Sequence, residues 1–142
     1  MQLRTANRTD IPALHEVRMA VRENVLSHRD RISEADYLSA LEELGCGWLL
    51  EDDGKVLGFA IAYRSGSIWA LFVHPDHEGR GVAKALHAVM LEWMQKQAVK
   101  TAFLSTEPGT RAEAFYRSRG WQSCGPPVLG EMQFELALPQ TS

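Results

Sequence analysis

Two rhythms of apolar and polar residues run along this chain, one of three to four positions and one of two. After a short first strand over Gln2 to Ala6, the slow rhythm sets in at Ile11, Leu14, Val17, Val21 and Val25. That spacing predicts a helix with one buried stripe, capped by Thr9 or Asp10 and carrying Pro12 in its first turn. The polar stretch Ser27 to Arg31 breaks it. Ser33 with Asp36 has the form of a capping box, so a second helix follows, with Tyr37, Leu38, Leu41 and Leu44 on its apolar side and Gly45 at its end.

The fast rhythm then takes over. Gly47 to Glu51 and Val56 to Tyr63 flank Asp53-Gly54, a pair that favours a type I′ hairpin turn. Ser65-Gly66 turns the chain into an apolar run, Ile68 to Val73, which ends at Pro75. Helical spacing returns at Val82, Leu86, Val89 and Trp93 and lasts to about Gln97. A strand at Thr101 to Ser105, a short helix starting near Thr110, a strand from Trp121 and a last strand from Glu131 to Leu138 complete the chain, with Pro126-Pro127 between the last two. Periodicity alone places this order in a mixed α/β class.

Composition narrows the function classes. The 142 residues suit one domain spanning 1–142, and 45% hydrophobic with 23% charged residues is ordinary for a globular protein. Fifteen basic against eighteen acidic residues leave a net charge of −3, and no basic run offers a nucleic acid a local footing. Neither a signal-type apolar core nor an apolar run near ~18 residues occurs, which argues against a membrane span. Cys46 and Cys124 stand apart without C-x-x-C spacing, as free thiols do in a reducing cytoplasm.

The chemistry concentrates in Val73 to Leu86, a strand, a glycine loop and a helix start. Such a junction offers several backbone N–H groups at the positive end of a helix dipole and suits a phosphate or pyrophosphate. Gly79 and Gly81 let an anion approach the main chain, and Arg80 and Lys84 add positive charge. Spacing excludes two common phosphate grips, since G-x-G-x-x-G lacks its third glycine and G-x-x-x-x-G-K-S/T does not occur. The segment Glu78-Gly79-Arg80-Gly81-Val82-Ala83 resembles motif A of the GNAT superfamily of N-acetyltransferases, Gln/Arg-x-x-Gly-x-Gly/Ala. Gly81 and Ala83 match; Glu78 departs, and a carboxylate beside a pyrophosphate must turn to solvent or to a cation. Thr106 to Trp121 resembles the same family's motif B, Asn-x-x-Ala-x-x-Phe-Tyr-x-x-x-Gly-Phe/Trp, with Ala112, Phe115, Tyr116, Gly120 and Trp121 in register and Gly109 where Asn is usual. Thr110 and Glu113 have capping-box spacing at the start of that helix.

The resemblance implies a GNAT-like α/β (α+β) domain, with a central, mostly antiparallel mixed sheet of about seven strands and about four helices around it. It also implies acetyl-coenzyme A as cosubstrate, direct transfer of acetyl to a primary amine, no metal, and a homodimer as one option. Leu71, Phe72 and Val73 fall where the family's strand bulges and splays to receive the pantetheine arm; Phe115 and Gly109 flank it from motif B. Tyr116 falls where the family carries its general acid, and a phenol of pKa ~10 is still protonated at neutral pH and can protonate a thiolate whose thiol pKa is ~8.5. Ser67 and Trp69 occupy positions where relatives place a basic Glu or His, and neither can take a proton. The resemblance makes Glu23 the leading base, because the first helix in this family borders the acceptor pocket, although Arg22-Glu23-Asn24 is equally a solvated helix edge; His28, Tyr63, Glu131, Glu135 and a water chain are alternatives. Trp69 can wall the acceptor site, and His74 and His77, though spaced H-x-x-H, read as polar loop residues. His87 is expected on the outer face of its helix. Two rival readings stay open: a non-catalytic acyl-coenzyme A-binding module, and transfer of a longer acyl group. The amine acceptor, a small molecule or a peptide, is not legible.

Overall fold

A computed structural model describes residues 1–21 and 32–140. The chain forms β1 (Gln2–Thr5), α1 (Ile11–Ala20), α2 (Glu34–Ser39), β2 (Gly45–Asp52), β3 (Lys55–Tyr63), β4 (Ile68–Val73), α3 (Val82–Lys96), β5 (Thr101–Thr106), α4 (Arg111–Ser118), β6 (Gln122–Ser123) and β7 (Met132–Ala137). The seven strands lie in two antiparallel sheets, ordered β1-β2-β3-β4 and β5-β7-β6. Only an isolated parallel bridge, Ser67 with Phe103, joins β4's side to β5's among the described residues. One hydrogen bond at this bridge runs from the Phe103 N–H to the Gly66 carbonyl at 2.8 Å. Gly66 sits at φ +106°, and a Cβ there would lie 2.6 Å from the Thr101 carbonyl oxygen, so the close approach of the two sheets needs glycine. Beyond this vertex β4 and β5 run without pairing, and a cleft opens between them.

Strand β3 shows how the period of two builds the layers. Phe59 and Ile61 point to a core shared with Leu14 and Val17 of α1 and with Tyr37. Ala60 and Ala62 point the other way, to a core with Val82, Leu86, Met90 and Met94 of α3. That second core also takes in Ala102, Leu104 and Phe134, so one helix backs both sheets. Strand β4 does bulge, but earlier than expected: Leu71, Phe72 and Val73 pair in regular register with Ala60, Phe59 and Gly58, whereas Ile61 pairs with Ala70 and Ala62 with Ile68, which leaves Trp69 as the extra residue.

Several local expectations need correction. Asn7, not Thr9 or Asp10, provides the side-chain cap, and it caps a short 3-10 turn over Arg8–Asp10. The Asp10 carboxylate is taken by the Asn7 N–H and by Arg4. Helix α1 stops at Ala20, with Val21 already extended, and the expected stripe position Val25 lies outside the described residues. The capping box of Ser33 and Asp36 forms as expected, but the α-helix yields to a π-helical turn at Ala40–Leu44, and Leu44 is exposed.

Candidate active site

The cleft between β4 and β5 holds about 520 Å³. Leu71, Phe72 and Val73 form one wall, Leu104 to Glu107 the other, and His77 to Gly79 with Gly81 to Lys84 close one end. Because β4 pairs only with β3 here, alternate backbone N–H and C=O groups along its open edge face the cleft with no strand to take them. Such groups can receive a polar, extended ligand arm as an added strand would be received.

The glycine loop is shaped for an anion. Gly79 and Gly81 have φ of +79° and +80°, and a Cβ on either would meet nothing within 4 Å. Gly81 is the residue before α3, so the first amides of a fifteen-residue helix emerge beside it. Lys84 lines the cleft as expected. Arg80 does not: its guanidinium turns to Asp52 at 3.4 Å and to the Nδ1 of His77 at 3.2 Å. Glu78 does find a cation, the Arg111 guanidinium at 2.7 Å across the cleft. His74 and His77 spend their Nδ1 atoms locally, on the Asp76 N–H and on Arg80.

Helix α4 brings the second motif to the opposite wall. The Thr110 hydroxyl accepts the Glu113 N–H at 3.2 Å, while the Glu113 carboxylate reaches back to the Gly109 N–H at 2.7 Å. The reciprocal bond of the expected capping box is thus made one residue early, and the Gly109 amide is spent inside the protein. Gly109 itself is not among the residues lining the cleft. Tyr116 is, although it is only 6% exposed, packed edge-on against Phe115 and Trp121. Burial pushes its phenol well above the ordinary tyrosine range, so the hydroxyl keeps its proton through neutral and mildly alkaline pH.

A second cavity of about 400 Å³ adjoins the cleft, the two sharing Ile68, Trp69, Leu104 and Ser105. Ser67, Arg18, Glu131 and Gln133 also line it. Trp69 stacks near Tyr63 and meets Tyr37 edge-on, so it is both wall and packing element. Arg18 is 5% exposed, its guanidinium 5.0 Å from the Trp69 ring centre and 4.9 Å from that of Phe72. Sequence reading passed over Arg18, yet a signal was there: it lies four residues after Leu14, on the stripe that faces the core. Arg111 was missed too, as a polar residue in the first turn of α4. Glu23 and His28 lie outside the described residues, and Glu135 is exposed on β7.

His87 is a correction. It is buried rather than outward-facing, and its Nε2 accepts the Trp121 indole N–H at 3.0 Å. Trp121 and Phe115 lean over the flank of α3 and cover it. Burial, helped by the Arg119 charge, lowers its pKa from the ordinary 6.5 to about 4. The unfolded chain therefore takes up this proton first, and the stability it carries is complete above pH 6.5 and lost as pH falls toward 4. Urea unfolding at pH 7 and pH 4 should show the parent losing about 2–3 kcal/mol more than His87→Gln over that interval. Equal losses would show that His87 does not couple to folding.

No helix among the described residues is long and apolar enough to cross a membrane. The sequence model of the family described as "Acetyltransferase (GNAT) family" matches residues 11–121. Human N-acetyltransferase 8 is 32% identical over 100 residues, which are 61% of this chain and 43% of that protein. The ribosomal protein bS18-alanine N-acetyltransferase of Escherichia coli is 26% identical over 117 residues, 80% of this chain and 75% of that one. This chain thus spans less than half of the human relative and three quarters of the bacterial one. The crystal structure of the PaiA N-acetyltransferase of Thermoplasma acidophilum, in complex with coenzyme A, shares the fold with a TM-score of 0.79. Its identity is 17%, over 96% of this chain and 98% of that one.

Proposed function

The chain belongs to the acetyltransferase (GNAT) family, and on that footing we propose that it transfers the acetyl group of acetyl-coenzyme A directly to a primary amine. The observation that carries this reading is the meeting of three parts, distant in sequence, in one cleft: the glycine loop, the open edge of β4, and the buried phenol of Tyr116. The open space over Gly79 and Gly81 fits a pyrophosphate, held by the amides of Gly79 to Ala83 with Lys84 beside them. Main-chain groups of Leu71, Phe72 and Val73 fit the pantetheine arm. Bound there, acetyl-coenzyme A supplies an activated thioester. Donors preset along the β4 edge stabilise charge on the acetyl oxygen, and one such donor is worth on the order of 3 kcal/mol. Tyr116 holds its proton for the departing sulfur, because burial keeps the phenol neutral.

The acceptor enters through the second cavity, where Trp69 and Ser67 shape the wall. An alkylamine of pKa ~10.4 is about one part in a thousand neutral at pH 7, so a proton must leave it before attack. Glu131, in that cavity, and Glu23 are the carboxylates we assign to proton removal. Glu131→Gln should lower kcat/KM roughly 10²-fold at neutral pH and recover toward alkaline pH, where the amine ionises unaided. An equal deficit at every pH would make Glu131 a shaping residue and move the assignment to Glu23, examined by Glu23→Gln in the same way.

A thiol-release screen with acetyl-coenzyme A tests the whole reading. The amine panel should include small amines, amino acids and a peptide beginning with alanine, the last because the bacterial relative acts on an alanine of a ribosomal protein. Release above background, with a product heavier by one acetyl group, is the expected result. Coenzyme A binding without release for any member would overturn catalysis and leave a binding module.

A further inference from the structure

The ion pair between Glu78 and Arg111 spans the mouth of the cleft, from the glycine loop to the first turn of α4. Glu78 precedes the amides assigned to the pyrophosphate, so its carboxylate would repel that ligand if left alone. Arg111 Nη1 lies 2.7 Å from its Oε2, and both residues line the same cleft. The two partners are not equally held: the Glu78 side chain is 34% exposed and that of Arg111 73%. An exposed ion pair is weak and easily exchanged. A guanidinium also presents five N–H donors in a fork that matches phosphate oxygens, which bring more negative charge than one carboxylate.

We propose that Arg111 is a pyrophosphate-binding residue that Glu78 holds in place over the empty loop and gives up when coenzyme A arrives. The exchange rests on the coenzyme reading above. Glu78 then swings to solvent, where a lone carboxylate is well hydrated, and Arg111 closes over the phosphates from the α4 side. Glu78 acts as a competitor that keeps the arginine extended across the cleft and sets the affinity below what the loop and an uncontested Arg111 would give together.

A double-mutant cycle read by calorimetry with coenzyme A tests this, with thermal melts confirming that each variant folds. Glu78→Gln removes the competitor and should tighten binding several-fold. Arg111→Gln should weaken it about tenfold in the parent and by more in the Glu78→Gln background, where the Glu78 carboxylate no longer competes with the phosphates. Dephospho-coenzyme A, which keeps the pyrophosphate and lacks the 3′-phosphate, should give the same ratios. If Arg111→Gln costs affinity only while Glu78 is present, Arg111 merely neutralises the carboxylate and the proposal falls. Ratios that vanish with dephospho-coenzyme A would also overturn it, by moving Arg111 to the 3′-phosphate. A parent that binds no coenzyme A would instead overturn the coenzyme reading itself, and the exchange with it.

Discussion

Tyr116→Phe is expected to lower kcat about 10²-fold while leaving coenzyme A affinity nearly unchanged. The substitution keeps the ring, which packs against Phe115 and Trp121, and deletes only the hydroxyl in the cleft. Binding contacts survive and proton delivery does not, so the loss falls on kcat rather than on KM. Burial makes the effect sharper than for an exposed tyrosine, since few waters reach a side chain 6% exposed to replace the missing donor. Single-turnover kinetics with a responsive amine would measure it. A variant that reacts at the parent's rate would make Tyr116 a packing residue.

The second large effect is expected at Gly81. Gly81→Asp should weaken coenzyme A by at least about 10²-fold, because a carboxylate at about 4 Å from a phosphate charge costs several kcal/mol at an effective dielectric constant near 20. The fold should survive. A Cβ at Gly81 meets no atom within 4 Å, and aspartate is among the side chains that tolerate positive φ. Gly81→Asn carries the same backbone strain and nearly the same bulk without the charge, so it should lose far less affinity. Equal losses for the two variants would point to crowding rather than charge, and unchanged affinity in both would remove the pyrophosphate from this loop.

Local chemistry was legible in the sequence and long-range pairing was not. The hairpin at Asp53-Gly54, the capping box of Ser33 and the glycine loop depend on neighbours a few residues away, and each formed as read. Where α1 ends, periodicity misled, because Val21 keeps the apolar spacing after the backbone has turned extended. His87 was misplaced for another reason: it lies off the main stripe of α3, and only the return of the chain through Trp121 covers it. Arg18 was readable as a charge on an apolar face, but its rings, Trp69 and Phe72, come from a distant strand. Glu78 announced that it needed a cation, and nothing in the spacing named Arg111 as the one. The proton acceptor was the least legible residue, because only the fold decides which carboxylate reaches the acceptor cavity.

The join at Gly66 bears on how the molecule moves. Among the described residues the two sheets are joined edge to edge only by the isolated bridge at that point, while Leu86, Met90 and Met94 of α3 belong to the core behind both. Cohesion between the halves therefore resides in side chains, and those slide against one another over short distances without breaking a directional bond. Parting of the β4 and β5 edges about Gly66 would therefore break no other backbone pairing between them among the described residues. Such an opening would leave the ladders of both sheets intact, so that admitting a long, narrow ligand would require no local unfolding.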